Sequence, residues 1–328
     1  MRDWWQPRLN FRTAPLLPLS FVFGALAALR RGLFRLGIKR THRLPVPVIV
    51  VGNLTVGGAG KTPLVIALAE ALRARGFAPG VISRGYGAGA QAPREVTAAS
   101  DPREVGDEPL LIHRACPVFV ARDRPAAGRA LLAAHPQVNL IIADDGLQHY
   151  ALARDVEIAV FDARGAGNGH LMPAGPLREP LSRLSSVDAV VFNGNPSLQV
   201  QRPVTRMELE PRGFYQLSNP AQRMLPADFA RSFPRVAAVA GIGSPQRFFE
   251  TLRSLGLHCE PHAFPDHHPY SAEDIRAIKS DVIVMTEKDA IKCASFGDAR
   301  IWVLPVSARL APGLIEDILE KLRGPQTA

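Results

Sequence analysis

The stretch from Pro47 to Gly76 constrains this chain most. Pro47-Val48-Ile49-Val50-Val51 is a short apolar run rich in β-branched residues, a buried strand by composition. Gly52-Asn53-Leu54-Thr55-Val56-Gly57-Gly58-Ala59-Gly60-Lys61-Thr62 follows. Leu64, Leu68, Ala71 and Leu72 then recur at helical spacing until Gly76 stops the helix. Strand, glycine-rich loop, Gly-Lys-Thr and helix form the setting of a P-loop. Glycines let backbone N–H groups curl around phosphate oxygens, and the helix points its positive end at the same anion. The loop from Thr55 to Thr62 (Thr55, Val56, Gly57, Gly58, Ala59, Gly60, Lys61, Thr62) is therefore the candidate nucleotide cradle. Lys61 reaches the β and γ phosphates, and Thr62 can ligate Mg²⁺. The strict pattern asks for glycine where Thr55 stands, so the match is not complete.

A second apolar strand, Val138 to Ala143, ends in Asp144-Asp145-Gly146. An aspartate at the end of a strand beside a P-loop strand can hold Mg²⁺ through its carboxylate. Alone, Asp-Gly is an ordinary turn. Further apolar runs at 156–161 and 187–192 alternate with helical spacing. The fold class expected is α/β: a P-loop NTPase-like, doubly wound and mostly parallel sheet, with a second smaller α/β domain and an N-terminal membrane-associated helix. Residues 194–220 are rich in Pro, Gly, Asn and Gln, with a strand expected near 203–210. The domains expected are an arm over 1–43, a core over 44–200, a linker over 201–220 and a second domain over 221–328. In that second domain, strands are expected at 235–240, 282–285 and 300–305 and helices near 245–255 and 312–323. Thr286-Glu287-Lys288-Asp289 is either a loop touching a nucleotide base or a simple charged turn.

Charge is segregated. Residues 1–43 hold nine Lys or Arg against one acid, whereas the rest holds 30 basic and 29 acidic side chains. A near-neutral body argues against a nucleic-acid partner. Pro15 to Leu29 is almost wholly apolar, but at about fifteen residues it falls short of the roughly twenty that span a bilayer. If the helix runs on through Arg30–Arg43, Arg31, Arg35 and Lys39 share one face and Leu26, Leu29, Leu33 and Leu36 another. Trp4 and Trp5 add rings suited to headgroup depth. The pattern predicts a helix lying in the cytoplasmic leaflet and held partly by anionic lipid. The alternatives are packing on its own protein, a signal peptide with Ala25-Leu26-Ala27 as cleavage site, and a marginal span. The three cysteines form no CxxC pair, which suits a reducing compartment.

Seven motifs in order resemble the family of tetraacyldisaccharide 4'-kinases over nearly the whole chain. They are the Gly52–Pro63 loop, Ser83-Arg84-Gly85-Tyr86-Gly87, Gly106-Asp107-Glu108-Pro109, Asp144-Asp145-Gly146-Leu147-Gln148-His149, Gly175-Pro176-Leu177-Arg178-Glu179, Phe264-Pro265-Asp266-His267-His268 and Thr286–Asp289. Thr55 looks like the family's own variant of the loop. The resemblance implies transfer of the ATP γ-phosphate to the 4'-hydroxyl of tetraacyldisaccharide 1-phosphate, giving the 1,4'-bisphosphate lipid IVA. It also implies two α/β/α domains joined by a two-stranded linker, with the N-terminal helix at the cytoplasmic side of the inner membrane. It assigns Asp107 as catalytic base, where helix capping is the competing role, with His267 as helper and Asp145 next in line. Thr62, Asp144 and Glu179 are then the Mg²⁺ ligands, and Tyr86, Gln148, His149 and Arg178 contact the lipid. No obligate protein partner is expected. A membrane-associated P-loop GTPase or ATPase switch acting on a protein partner is the alternative function.

Overall fold

The computed structural model describes Trp5, residues 10–85, residues 92–196, Leu198 and residues 200–323. Two compact units emerge, one of residues 1–208 with 308–328 and one of residues 209–307. In chain order the first holds α1 (Leu17–Arg35), β1 (Val48–Gly52), α2 (Lys61–Arg73), β2 (Pro79–Ser83), β3 (Arg94–Val96), α3 (Pro102–Val105), α4 (Asp107–His113), β4 (Val118–Val120), α5 (Arg124–Ala134), β5 (Leu140–Asp144), β6 (Val156–Asp162), β7 (Ala189–Asn193) and β8 (Val204–Pro211). The second holds β9 (Phe214–Gln216), β10 (Arg223–Met224), α6 (Pro226–Ser232), β11 (Arg235–Ala240), α7 (Pro245–Ser254), β12 (His258–Ala263), α8 (Ala272–Ala277), β13 (Ile283–Thr286), α9 (Glu287–Cys293) and β14 (Ile301–Leu304). The chain then returns through β15 (Val306–Leu310) to α10 (Leu314–Arg323), which packs on α2 and β6.

The first sheet has the order β15-β8-β7-β6-β1-β5-β2-β4-β3. The pairs from β4 through β8 are parallel, and β3 runs antiparallel to β4. Its central strands are buried along their whole length, which is why they read as continuous apolar runs. The order reverses direction beside β1, so the loop after β1 opens at the carboxyl ends of β1, β5 and β6, where such sheets bind ligands. Phe161 and Phe192 stack across β6 and β7 with centroids 5.7 Å apart.

In the second unit β12-β11-β13-β14 are parallel, and β9 and β10 add antiparallel pairs. Alternation splits its core into two layers. Val236, Ala238, Val284 and Trp302 face one side with Phe229 and Phe249. Ala237, Val239, Ile283 and Val303 face the other with Tyr270 and Ile275.

Residues 201–220, expected as the linker, hold β8 of the first sheet and β9 of the second. The second domain does not run to residue 328, since the chain re-enters the first unit at Ala308. The amphipathic α10 supplies the reason: Leu314, Ile318 and Leu319 are buried there.

The arm also differs. Its helix stops at Arg35, and Gly37 turns with φ +72°, so Lys39 lies beyond the helix rather than on the face of Arg31 and Arg35. Together with the short helical turn before it, the helix covers 22 residues from Ala14 to Arg35, long and apolar enough to cross a membrane. Only 6% of its apolar window is buried. Leu19, Phe21, Val22, Leu26 and Leu29 are exposed. Ser20 is the buried exception: its hydroxyl donates to the Leu171 carbonyl at 2.9 Å and accepts from Ala174 N–H at 2.9 Å. Trp5 Nε1 donates to the Pro173 carbonyl at 3.0 Å, so the arm is fastened to this loop at two points.

Phe229 is fully buried and stacks on Phe214 at 3.9 Å between centroids. Phe229→Ala should cost about 3–5 kcal/mol through lost burial and an unfilled cavity. Urea unfolding followed by Trp302 fluorescence, 5.2 Å from that ring, measures the loss directly.

Candidate active site

The loop between β1 and α2 is built for close backbone approach. Gly57 and Gly60 hold φ of +96° and +90°, a region that disfavours other residues. Its first part is an anchor: Thr55 bridges Leu177, Val56 N–H donates to the Pro176 carbonyl at 2.9 Å, and Arg178 N–H donates to the Leu54 carbonyl at 2.6 Å. The N–H of Val56 is thereby engaged, and the phosphate-facing part of the loop begins at Gly57.

Lys61 opens α2 and is 9% exposed. Its ammonium lies 3.4 Å from Asn53 Oδ1 and 3.4 Å from Asp145 Oδ1. Arg178 Nη1 lies 3.2 Å from both Asp145 oxygens. Burial pushes the Asp145 carboxyl up, but Lys61 and Arg178 outweigh it and hold the group at about 2. Asp145 carries φ +47°, a conformation that turns its carboxylate out of line with β5.

Asp144 ends β5 and is 1% exposed. Its Oδ2 accepts from Ser83 Oγ at 3.1 Å, while its Oδ1 is buried with no hydrogen-bond partner among the described residues. Burial, reinforced by the negative charge of Glu108, pushes this carboxyl up from 3.8 to about 6, and Lys61 only partly opposes the shift. A buried carboxylate oxygen lacking a donor, with Lys61 and Thr62 at the start of the facing helix, suits a hard divalent cation.

Glu179 is buried, and both of its oxygens are engaged. Tyr150 donates to one, Gln148 Nε2 reaches the other at 3.0 Å, and Arg183 lies 4.0 Å away. Gln148 Nε2 also donates to the Asn53 carbonyl at 3.1 Å. These residues and Arg178 brace the loop. The buried His149 Nε2 has no hydrogen-bond partner among the described residues. Burial and the charges of Arg124, Arg154 and Arg30 push its imidazole down to about 4, so it is neutral at ordinary pH. Tyr86, expected to contact lipid, lies outside the described residues.

Asp107 is the first residue of α4, and Gly106 is its cap with φ +90° and no side-chain cap bond. Asp107 therefore does not hold the capping position. Its carboxylate is buried, and Oδ1 accepts from the adjacent Glu108 N–H at 3.0 Å. The influence of Glu108 on Asp144 ties the start of α4 electrostatically to the end of β5.

Sequence reasoning missed Arg124. This 2% exposed guanidinium donates to the carbonyls of Asp144 at 2.8 Å and Asp145 at 3.4 Å, so it fixes the backbone that carries both carboxylates. Burial pushes it down to about 10 against the pull of those carboxylates. Its partners are main-chain oxygens, which leave no mark in a sequence.

In the second unit His267 has φ +61°, and its N–H donates to the Gly241 carbonyl at 3.2 Å. Its Nε2 lies 3.3 Å from Lys288 Nζ and 3.9 Å from Asp266 Oδ1. Thr286–Asp289 starts a helix. Thr286 Oγ1 accepts from Asp289 N–H at 3.2 Å, and the fully buried Asp289 accepts from Gly241 N–H at 3.1 Å and Thr286 Oγ1 at 2.7 Å. Thr286 and Asp289 thus cap α9 and join it to the end of β11.

A doubly wound sheet whose first strand feeds a glycine loop, a buried Gly-Lys-Thr and a facing pair of aspartates defines a P-loop phosphotransferase. The family profile described as LpxK, tetraacyldisaccharide-1-P 4'-kinase, matches residues 12–323. The tetraacyldisaccharide 4'-kinase of Dechloromonas aromatica (strain RCB) is 54% identical over 335 residues, covering 100% of this chain and 98% of that protein. That of Janthinobacterium sp. (strain Marseille) is 53% identical, covering 94% and 92%. Among solved structures, the "apo" form of LpxK from Aquifex aeolicus in complex with ATP superposes with a TM-score of 0.82 at 28% identity, covering 95% of this chain and 100% of that one. The chain belongs to the tetraacyldisaccharide-1-P 4'-kinase family.

The raised carboxyl of Asp144 has a stability consequence. A carboxyl with a folded value above its unfolded one favours the fold at low pH and loses that contribution as pH rises through the folded value. Asp144→Asn, which cannot ionise, should melt a few degrees above the parent when pH exceeds about 6, and the gain should vanish below 3.8. Melting curves across pH, with turnover measured beside them, should show higher stability and lost activity together.

Proposed function

We propose that this chain transfers the γ-phosphate of ATP to the 4'-hydroxyl of tetraacyldisaccharide 1-phosphate, forming the 1,4'-bisphosphate in lipid A biosynthesis. The observation that carries the reading is the buried Lys61, set at a helix start between Asn53 and Asp145, beside Asp144. Family membership supports the acceptor, and the ATP complex of the Aquifex aeolicus relative supports the donor.

Phosphoryl transfer asks a protein mainly for positioning and for charge to meet the γ-phosphate oxygens. In this reading the Gly57–Gly60 amides and the start of α2 receive the phosphate chain, and Lys61 follows the transferring group. Asp107 accepts the proton of the 4'-hydroxyl as that oxygen bonds phosphorus. The bond to the β,γ-bridging oxygen breaks, and its electron pair leaves with ADP. His267 keeps the role of helper that the family resemblance implies. Thr62 and Asp144 would hold Mg²⁺, which would supply positive charge to the phosphates; the engaged Glu179 is left out of this set. Asp145 orients Lys61 through their ion pair. His149 is a lipid contact, and Gln148 and Arg178 shape that side of the loop.

The exposed apolar residues of α1 and the basic residues near its end suit attachment to the cytoplasmic face of the inner membrane, where the lipid resides. A GTPase switch is the weaker reading, because Thr286 and Asp289, half of the stretch that suggested base reading, are engaged in capping.

Radiolabelled ATP, Mg²⁺ and disaccharide lipid in detergent test the proposal. Lys61→Ala should cut kcat by about 10²-fold or more, and label that never enters lipid with the parent enzyme overturns the reading. Asp107→Ala and His267→Ala should each lower kcat strongly with ATP affinity little changed, and the double variant should fall short of the product of the two. Phe21→Glu with Leu29→Glu, both at exposed positions, should reduce pelleting with anionic vesicles while leaving ATP binding intact. Undiminished pelleting would move the membrane site elsewhere.

A further inference from the structure

A backbone loop binds an anion through N–H groups, so its carbonyls must point away. Each peptide is planar, with C=O and N–H in opposite directions, so fixing a carbonyl also aims the next N–H. Glycine peptides flip easily, and this loop contains Gly57, Gly58 and Gly60. Three consecutive carbonyls of the loop are each held by a side chain. Asn53 Nδ2 donates to the Gly57 carbonyl at 3.2 Å. Arg164 Nη2 donates to the Gly58 carbonyl at 2.6 Å. Asn193 Nδ2 reaches the Ala59 carbonyl at 3.5 Å, the outer limit of a hydrogen bond.

The three donors come from adjacent places in the sheet: Asn53 follows β1, Arg164 follows β6, and Asn193 ends β7. Each is itself fixed. Asn53 is fully buried, and its Oδ1 faces Lys61 Nζ. Arg164 Nε lies 3.0 and 2.8 Å from the two oxygens of Asp162. Asn193 is 3% exposed, and a Cβ on Gly60 would lie 2.5 Å from its Nδ2, so this hold requires glycine there. Arg164 Nη1 is buried, without a hydrogen-bond partner among the described residues, and 3.4 Å from where a Gly57 Cβ would be.

We propose that Asn53, Arg164 and Asn193 are positioning residues for phosphate binding. Together they hold the Gly57, Gly58 and Ala59 carbonyls so that the N–H groups of Gly58, Ala59 and Gly60 are set in advance toward one anion, and Arg164 Nη1 brings positive charge to the same loop. The inference rests on the reading of this loop as the ATP phosphate site.

Calorimetry of the full-length protein with ATP in detergent, together with steady-state kinetics, tests it. Arg164→Ala and Asn193→Asp, the latter isosteric but without the donor, should each raise the Kd for ATP by about tenfold or more, as loss of a hydrogen bond to a charged group does. The KM for lipid should stay within about twofold. Arg164→Lys keeps the charge without the fork and should fall between parent and Arg164→Ala. Millimolar guanidinium should restore ATP affinity to Arg164→Ala and not to Asn193→Asp. The proposal is overturned by parent-like ATP affinity in both variants. It is equally overturned by a uniform fall in ATP affinity, lipid affinity and melting temperature with no response to guanidinium. Lys61→Ala in the same assay separates the two levels: if it binds and turns over ATP normally, the reading of the loop fails, whereas impaired Lys61→Ala beside normal Arg164 and Asn193 variants refutes the grip alone.

Discussion

A lysine ammonium with nine-tenths of its side chain out of water needs an opposite charge and a hydrogen-bond acceptor held at fixed distance. Around Lys61 these are Asp145 and Asn53. Meeting that need explains much of the surrounding structure. Asp145 must leave the line of β5 to face the lysine, and its left-handed backbone does so. That backbone is kept in place by Arg124 from α5 and the carboxylate by Arg178 from the segment after Pro176. The same segment is stitched to the loop through Val56 and Leu54. The cation is therefore the centre of a network drawing on five parts of the first unit. Asp144, next in sequence, has the opposite environment: buried beside another acid, it is disfavoured as a charge. Two neighbouring carboxylates pushed in opposite directions suit two different tasks, and the one that balances a lysine is Asp145.

The core of the first sheet was legible because parallel strands buried on both faces leave continuous apolar runs, as in β1, β5, β6 and β7. Strand β2 was not, since Pro79 and Gly80 open it, and β12 was not, since His258-Cys259-Glu260-Pro261-His262-Ala263 is a polar edge strand with no alternation to detect. The candidate site was legible where residue type and spacing carry the signal, as with Lys61, Thr62 and Asp144, which the fold brings together. It was illegible where a side chain holds main-chain oxygen. Arg124, Arg164 and Asn193 act on carbonyls far away in sequence, and nothing local marks them. At Val56 and Glu179 the motifs suggested ligand contact, and the fold also engages the Val56 N–H and the Glu179 carboxylate internally.

The N-terminal helix shows how one side chain can set the attitude of an otherwise greasy segment. Leu19, Phe21, Val22, Leu26 and Leu29 of α1 face outward, and Ser20 turns inward to accept and donate against the Leu171–Ala174 loop. That loop closes on Leu177 through the Met172 N–H, and Leu177 bridges Thr55. A short covalent and hydrogen-bonded path thus connects the helix to the start of the glycine loop. The positive charge of Arg30 on α1 is felt at His149, a second link between helix and site.

The second unit is inserted between β8 and β15, with the partners of the first unit lying on both sides of it in sequence. During synthesis the order of emergence is fixed. The glycine loop, its carboxylates and the sheet from β3 to β8 leave the ribosome early, but the strand beside β8 and the helix that packs on α2 arrive only after the whole inserted unit has been made. Until then β8 is an unprotected sheet edge, and the apolar surface that receives α10 is bare, a state open to misassociation. The nascent first unit therefore remains unfinished through translation of about a hundred residues. Its stability comes late, and a ribosome stalled within the insertion would present the same open edge.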